Sequence, residues 1–161
     1  MFKKTYKRNE QIKKLSREHH FSLLFCWKIR HGLKNNVAAE RIKEYVEYFW
    51  HENLRRHFQE EERLFFAPLS DHKVQRAVRE HKMIGREIKE LSTLRGIRLN
   101  RKLEELADLV SNHVRFEERV LFPHLERIMS KEQFETIGIE LAREESSSLH
   151  DNYVDQFWNI R

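Results

Sequence analysis

Four long stretches of this chain repeat apolar residues at three- and four-residue steps, the spacing of one face of an α-helix. The first carries Ile12, Leu15, Ser22, Cys26 and Ile29, and Gly32 with Asn35 and Asn36 ends it. The second runs from about Val37 through Ile42, Val46, Phe49, Leu54 and Leu64 to Phe66, and stops near Pro68. The third starts at Asp71, a good N-cap type, and carries Val74, Ala77, Val78, Ile84, Ile88 and Leu91 before Gly96. Asn100 is the expected cap of the fourth, which carries Leu103, Leu106, Val110, Val114 and Val120 until Pro123 ends or kinks it. Ser130-Lys131-Glu132-Gln133 reads as a capping box that opens a shorter fifth helix reaching about Glu145. Beyond it, Tyr153, Phe157 and Trp158 point to a tail that packs.

Long helices joined by short links predict an all-α fold, an up-down-up-down four-helix bundle over about residues 10–128 with a short fifth helix and tail over 130–161. The 161 residues suit one domain, and 4 Gly with 2 Pro are too few to punctuate a sandwich or barrel. The longest stretch poor in polar residues, Phe21 to Trp27, is far short of the roughly 18 needed to span a bilayer. No apolar segment of signal-peptide type follows the basic start, and a single cysteine excludes an intrachain disulfide framework. The expectation is a cytoplasmic protein without membrane association. Its net charge is +5, but the charges are mixed along the helix faces, except for Lys3, Lys4, Lys7, Arg8, Lys13 and Lys14. That stretch reads as a solvated helix entry, and no nucleic-acid partner is expected.

The stripes themselves are interrupted. The first runs Ile12, Leu15, His19, Ser22, Cys26, and the second Ile42, Val46, Phe49, Asn53, His57, Glu61, Leu64. The third runs Val74, Ala77, His81, Ile84, Ile88, and the fourth Leu106, Val110, His113, Glu117, Val120. A buried carboxylate without a partner is too unfavourable to persist. Two of them among four histidines inside one bundle require compensation, and a metal supplies it.

Spacing alone is weak support. His-x-x-x-Glu puts both side chains on one helix face, yet ten histidines in a Glu-rich chain would give about one such pair by chance. The internal repeat is stronger. His57-Phe58-Gln59-Glu60-Glu61-Glu62-Arg63-Leu64-Phe65-Phe66 aligns with His113-Val114-Arg115-Phe116-Glu117-Glu118-Arg119-Val120-Leu121-Phe122, and Arg17-Glu18-His19 aligns with Arg79-Glu80-His81. Each half is thus a helical hairpin that offers two histidines and one glutamate to a shared interior, as bundles do when they build dinuclear carboxylate sites.

The pattern resembles the hemerythrin-like (HHE cation-binding) family over about residues 10–128. The resemblance rests on Glu18-His19, His57…Glu61, Glu80-His81, and His113…Glu117 running into Leu121-Phe122-Pro123. It implies a ligand set of His19, His57, Glu61, His81, His113 and Glu117 around two metal ions, with Glu61 and Glu117 bridging. Oxygen carriers of the family have a further histidine four residues after the first on the third helix, where this chain has Gly85. The four-His, two-Glu set is closer to the di-iron proteins associated with nitric-oxide stress and iron–sulfur cluster repair.

Imidazole and carboxylate suit iron, with zinc or manganese as alternatives, and four protein donors per ion leave room for a small ligand. Three functions stay open. One is a non-haem, carboxylate-bridged di-iron protein that binds or senses O2 or NO, or holds iron. A second is an enzyme of the same architecture acting on peroxide or nitric oxide. The third is a metal-free helical interaction module with a basic face. Glu18, Glu60, Glu80 and Glu118 adjoin the candidate ligands and either accept the outer ring N–H of a histidine or, by default, face solvent. His20 is a second-choice donor, His31, His51, His72, His124 and His150 read as surface residues, and Cys26 as a buried, inert thiol.

Overall fold

A computed structural model describes residues 8–143 and 149–160. Lys3, Lys4 and Lys7 of the basic stretch, the expected helix end at Glu145 and the serines at 146–148 lie outside the described residues. Five helices account for the ordered core and no strand occurs among the described residues. Helix α1 is Glu10–Lys34, opened by Asn9, whose side chain accepts the Gln11 N–H. Helix α2 covers residues 39–66, in which α-helical Ala39–Phe49 and Arg55–Glu61 alternate with π-helical Trp50–Leu54 and Glu62–Phe66. Helix α3 is His72–Glu90, capped by Asp71 as its sequence requires.

Helix α4 covers residues 96–128, as Gly96–Phe116, a π-turn Glu117–Leu121, and Phe122–Ile128. It begins four residues before the expected Asn100 cap. A 3-10 turn, Leu91–Thr93, closes α3, and Gly96 takes a left-handed φ of 57°, which lets the chain reverse at once. Pro123 does not stop α4 either, because the preceding π-turn has already shifted the hydrogen-bond register. Helix α5 is Lys131–Arg143, with Ser130 and Gln133 forming the expected reciprocal cap.

The four long helices bury two apolar clusters. One contains Phe25, Ile29, Ile42, Val46, Phe49, Phe58, Ile84 and Val110. The other contains Leu15, Leu64, Phe65, Ala77, Leu121 and Phe122. On every helix the stripe passes from one cluster to the other through a polar step: His19 and Ser22 on α1, His57 and Glu61 on α2, His81 on α3, His113 and Glu117 on α4. A polar layer therefore crosses the middle of the bundle. One stripe residue is misplaced by the sequence reading: Val120 is 40 % exposed, and Leu121 takes the inward position because the π-turn inserts one residue.

The tail packs over the end of the bundle that holds the first cluster. Phe157 joins that cluster against Gly32, and Asp151 accepts from Tyr45 at 2.5 Å and from buried Lys28 at 2.7 Å. Trp158 lies under the Lys28 ammonium at 3.9 Å, and Arg41 grips Asp155 through two nitrogens. Among the described residues, no helix is long and apolar enough to cross a membrane.

Candidate metal centre

The repeated His-x-x-x-Glu spacing does locally what helix geometry dictates. His57 Nε2 lies 2.9 Å from Glu61 Oε1 on α2, and His113 Nε2 lies 2.6 Å from Glu117 Oε1 on α4. The other hairpin partners close the set. His19 Nε2 on α1 is 3.0 Å from Glu117 Oε2, and His81 Nε2 on α3 is 3.2 Å from Glu117 Oε1 and 3.5 Å from Glu61 Oε1. All six residues are at most 4 % exposed. They form two overlapping groups, His19, His57, Glu61, Glu117 and Glu61, His81, His113, Glu117, each with its ligand atoms within 4.8 Å of one another.

The outer ring nitrogens show why these histidines point inward. Each Nδ1 meets a carboxylate: His19 with Glu118 at 2.7 Å, His57 with Glu18 at 2.6 Å, His81 with Glu62 at 3.0 Å, and His113 with Glu80 at 3.4 Å. The pattern obeys the repeat. A histidine on α2 or α4 uses the Glu that precedes the histidine of its own hairpin, and one on α1 or α3 uses the Glu that follows the buried Glu of the other hairpin. Nδ1–H donates to these acceptors, so Nε2 presents a lone pair to the interior. Of the expected outer acceptors, Glu18, Glu80 and Glu118 take this role. Glu60 does not, because Lys14 claims it. Glu62 was missed, although its alignment with Glu118 was legible in the repeat.

The interior is short of positive charge. With the imidazoles neutral, four lone pairs face four carboxylate oxygens, and His19 Nε2, His57 Nε2, His113 Nε2, both Glu61 oxygens and Glu117 Oε2 have no hydrogen-bond partner. Burial works against the imidazolium form, but the carboxylates outweigh it. Glu117 and Glu118 hold His19 at about 8, Glu61 and Glu18 hold His57 at about 10, and His81 and His113 are raised in the same way. Burial alone would raise the Glu117 carboxyl, yet His113 above all keeps it well below the usual carboxylate range. Nitrogen and oxygen donors in this number, buried, convergent and unsatisfied, fit a divalent or trivalent transition-metal ion that displaces the protons.

Aromatic rings wall the layer. Phe58 stacks on His81 at 3.9 Å, and Phe122 stacks on His19 at 5.2 Å. Gly85, one turn past His81, offers no donor. A Cβ there would meet the Trp50 indole at 3.3 Å, so that flank is closed by carbon. The remaining histidines stay outside. His20, His51, His72 and His150 are exposed, His31 stacks on Trp27, and His124 donates to Asp71 at 2.8 Å. Cys26 is buried and its thiol is pushed up to about 12 by that burial, which leaves it unreactive.

Comparison with known families adds one finding: the family model for the hemerythrin HHE cation binding domain matches residues 10–125. No curated protein and no solved structure matched the chain.

Proposed function

The chain belongs to the hemerythrin HHE cation-binding domain family, and on that premise we propose that its polar layer holds two iron ions. Glu61 and Glu117, each shared by both groups of donors, would serve both ions, and His19 with His57 and His81 with His113 would complete the two positions. The observation that carries this reading is the set of six inward nitrogen and oxygen atoms without hydrogen-bond partners, each of which a cation would satisfy.

An iron pair in such a cage supplies a redox-active Lewis acid for a small ligand such as O2 or NO. The chain's own residues set the terms. The carboxylates on Nδ1 fix each imidazole's tautomer and orientation. Phe58, Phe66 and Phe122 keep bulk water from the layer and favour a small, apolar visitor. Trp50 against Gly85 places no further donor on the His81 flank, so each position keeps four protein donors and room for exchange. That favours a reactive or sensing centre over a long-lived oxygen carrier.

The test is metal content per chain in protein purified without added metal or chelator, read beside the visible spectrum. About two irons with ferric near-ultraviolet absorption support the reading. Zinc in the same ratio supports the cage and overturns the iron assignment. A folded protein that holds no metal and takes up no iron anaerobically refutes the proposal.

A further inference from the structure

The repeat makes the two halves of the cage equivalent in residue type, yet the outer hydrogen bonds are not equivalent. On the His19–His57 side both Nδ1 contacts are short, 2.7 Å to Glu118 and 2.6 Å to Glu18. On the His81–His113 side they lengthen to 3.0 Å and 3.4 Å. Charge-assisted N–H···O bonds are strongest near 2.7–2.9 Å, so the first pair of imidazoles is more strongly polarised and more firmly aimed.

The sequence contains the cause of part of this difference. In the first repeat the Ala67 N–H reaches the Glu62 carbonyl at 2.7 Å. The equivalent position in the second repeat is Pro123, which has no N–H to give. The Glu118 carbonyl is taken instead by Arg8 Nη2 at 3.0 Å, and the same guanidinium pairs with the Glu118 carboxylate. Glu118 is thereby anchored against His19. Its counterpart Glu62 pairs with no lysine or arginine among the described residues and is 37 % exposed at the side chain, beside an apolar groove lined by Phe66, Leu69, Val74 and Val78. Glu18 has Lys14 at 3.8 Å and Glu80 has Arg76 at 3.4 Å, so the difference in anchoring lies between Glu118 and Glu62.

We infer that the two metal positions bind with unequal affinity, the His19–His57 position filling first and the His81–His113 position remaining the exchangeable one. Glu118 and Glu18 are the positioning residues for the first, Glu62 and Glu80 for the second. The inference rests on the dinuclear reading above. Losing an outer partner of a ligand histidine weakens metal binding by about 10–100-fold, so contacts that are lengthened rather than lost separate the two steps by up to about tenfold.

The experiment is an anaerobic Co(II) titration of metal-stripped protein, with chelator competition for affinity and the cobalt visible bands for coordination. Repulsion between two cations also separates the steps, so the variants carry the assignment. Glu118→Gln keeps a hydrogen-bond acceptor but removes the charge. It is expected to weaken the tighter step about tenfold and to alter the spectrum at one equivalent of cobalt. Glu62→Gln is expected to leave both unchanged and to weaken the second step. Pro123→Ala offers the Glu118 carbonyl a backbone N–H, loosens Arg8, and narrows the gap; it serves if Glu118→Gln fails to fold by circular dichroism. Two ions bound with Glu118→Gln and Glu62→Gln acting alike overturn the inference and leave the dinuclear reading standing. Saturation at a single ion refutes both.

Discussion

Removing metal from this bundle should weaken it by an amount that depends on pH in a specific direction. Six inward-facing atoms of the cage have no hydrogen-bond partner. With the imidazoles neutral, each buried polar group left unsatisfied costs ~1–3 kcal/mol, a sizeable share of the ~5–15 kcal/mol that stabilises a typical domain. Protons relieve part of it in the stripped protein. His57 is raised to about 10 and His19 to about 8, mainly because Glu61 and Glu18, and Glu117 and Glu118, outweigh the burial that opposes charging. Both folded values lie above the unfolded value of about 6.5. Their contribution is therefore complete below about pH 6.5 and is lost as pH rises through 8 and towards 10. Metal needs the neutral imidazole, so the loaded protein does not share this loss. An ion held at a thousandfold its Kd adds about 4 kcal/mol, or about 8–16 °C in Tm for a chain of this size. Melting curves of loaded and chelator-dialysed protein between pH 6 and 9 should diverge as pH rises. Curves that coincide at every pH, or converge on raising it, would refute the reasoning. Replacing His57 and Glu61 together by Leu should abolish the divergence while leaving the stripped fold as stable or more so.

Other outcomes follow from single contacts. At Gly32 an added Cβ would sit 2.8 Å from the buried Phe157 ring and 3.0 Å from Ile42, so Gly32→Ala should lower stability by about 1–2 kcal/mol despite better helix propensity. Gly138→Ala meets only the mobile end of Gln11 and should raise it by up to about 1 kcal/mol; thermal melts of the two variants decide, and a shared sign refutes the packing argument. Asp151→Ala leaves Lys28, 5 % exposed, without its carboxylate and should cost about 3–5 kcal/mol in urea unfolding, with Lys28→Met recovering most of it. Asp71 caps α3 and accepts from His124, which holds its carboxyl below the ordinary value. That stabilisation is present above about pH 4 and is lost as pH falls through the lowered value. Asp71→Ala should therefore cost about 1 kcal/mol at neutral pH and less as pH falls through the lowered value.

The helices, their order and the inward donors were legible because each has a local cause. Apolar spacing fixed the buried stripes on α1, α2 and α3, and the four-residue step placed His57 over Glu61 and His113 over Glu117. Helix starts were legible where a side chain does the capping, as at Asp71 and Ser130, and illegible at Gly96, where backbone conformation rather than a cap marks the turn. Val120 misled for a related reason: its position follows from a strict 3.6-residue period, and the chain departs from that period immediately after Glu117.

Those departures are where sequence periodicity gives way to the needs of the site. In an unbroken α-helix Glu61 and Glu62, or Glu117 and Glu118, lie about 100° apart, so one carboxylate can enter the layer while its neighbour reaches sideways to a histidine on another helix. The apolar residues that follow must still return to the core, and a π-turn starting at Glu62 in one repeat and at Glu117 in the other supplies the extra rotation. Phe65 and Phe66 then seal one side, Leu121 and Phe122 the other. The consecutive glutamates look redundant in the sequence, because nothing local says that the second has a partner. Only the crossing of the hairpins brings Glu118 to His19 and Glu62 to His81, residues 99 and 19 positions apart. A repeat in the sequence can therefore announce the inner donors, which sit on one helix face, while the carboxylates that orient them are set by how one hairpin packs on the other.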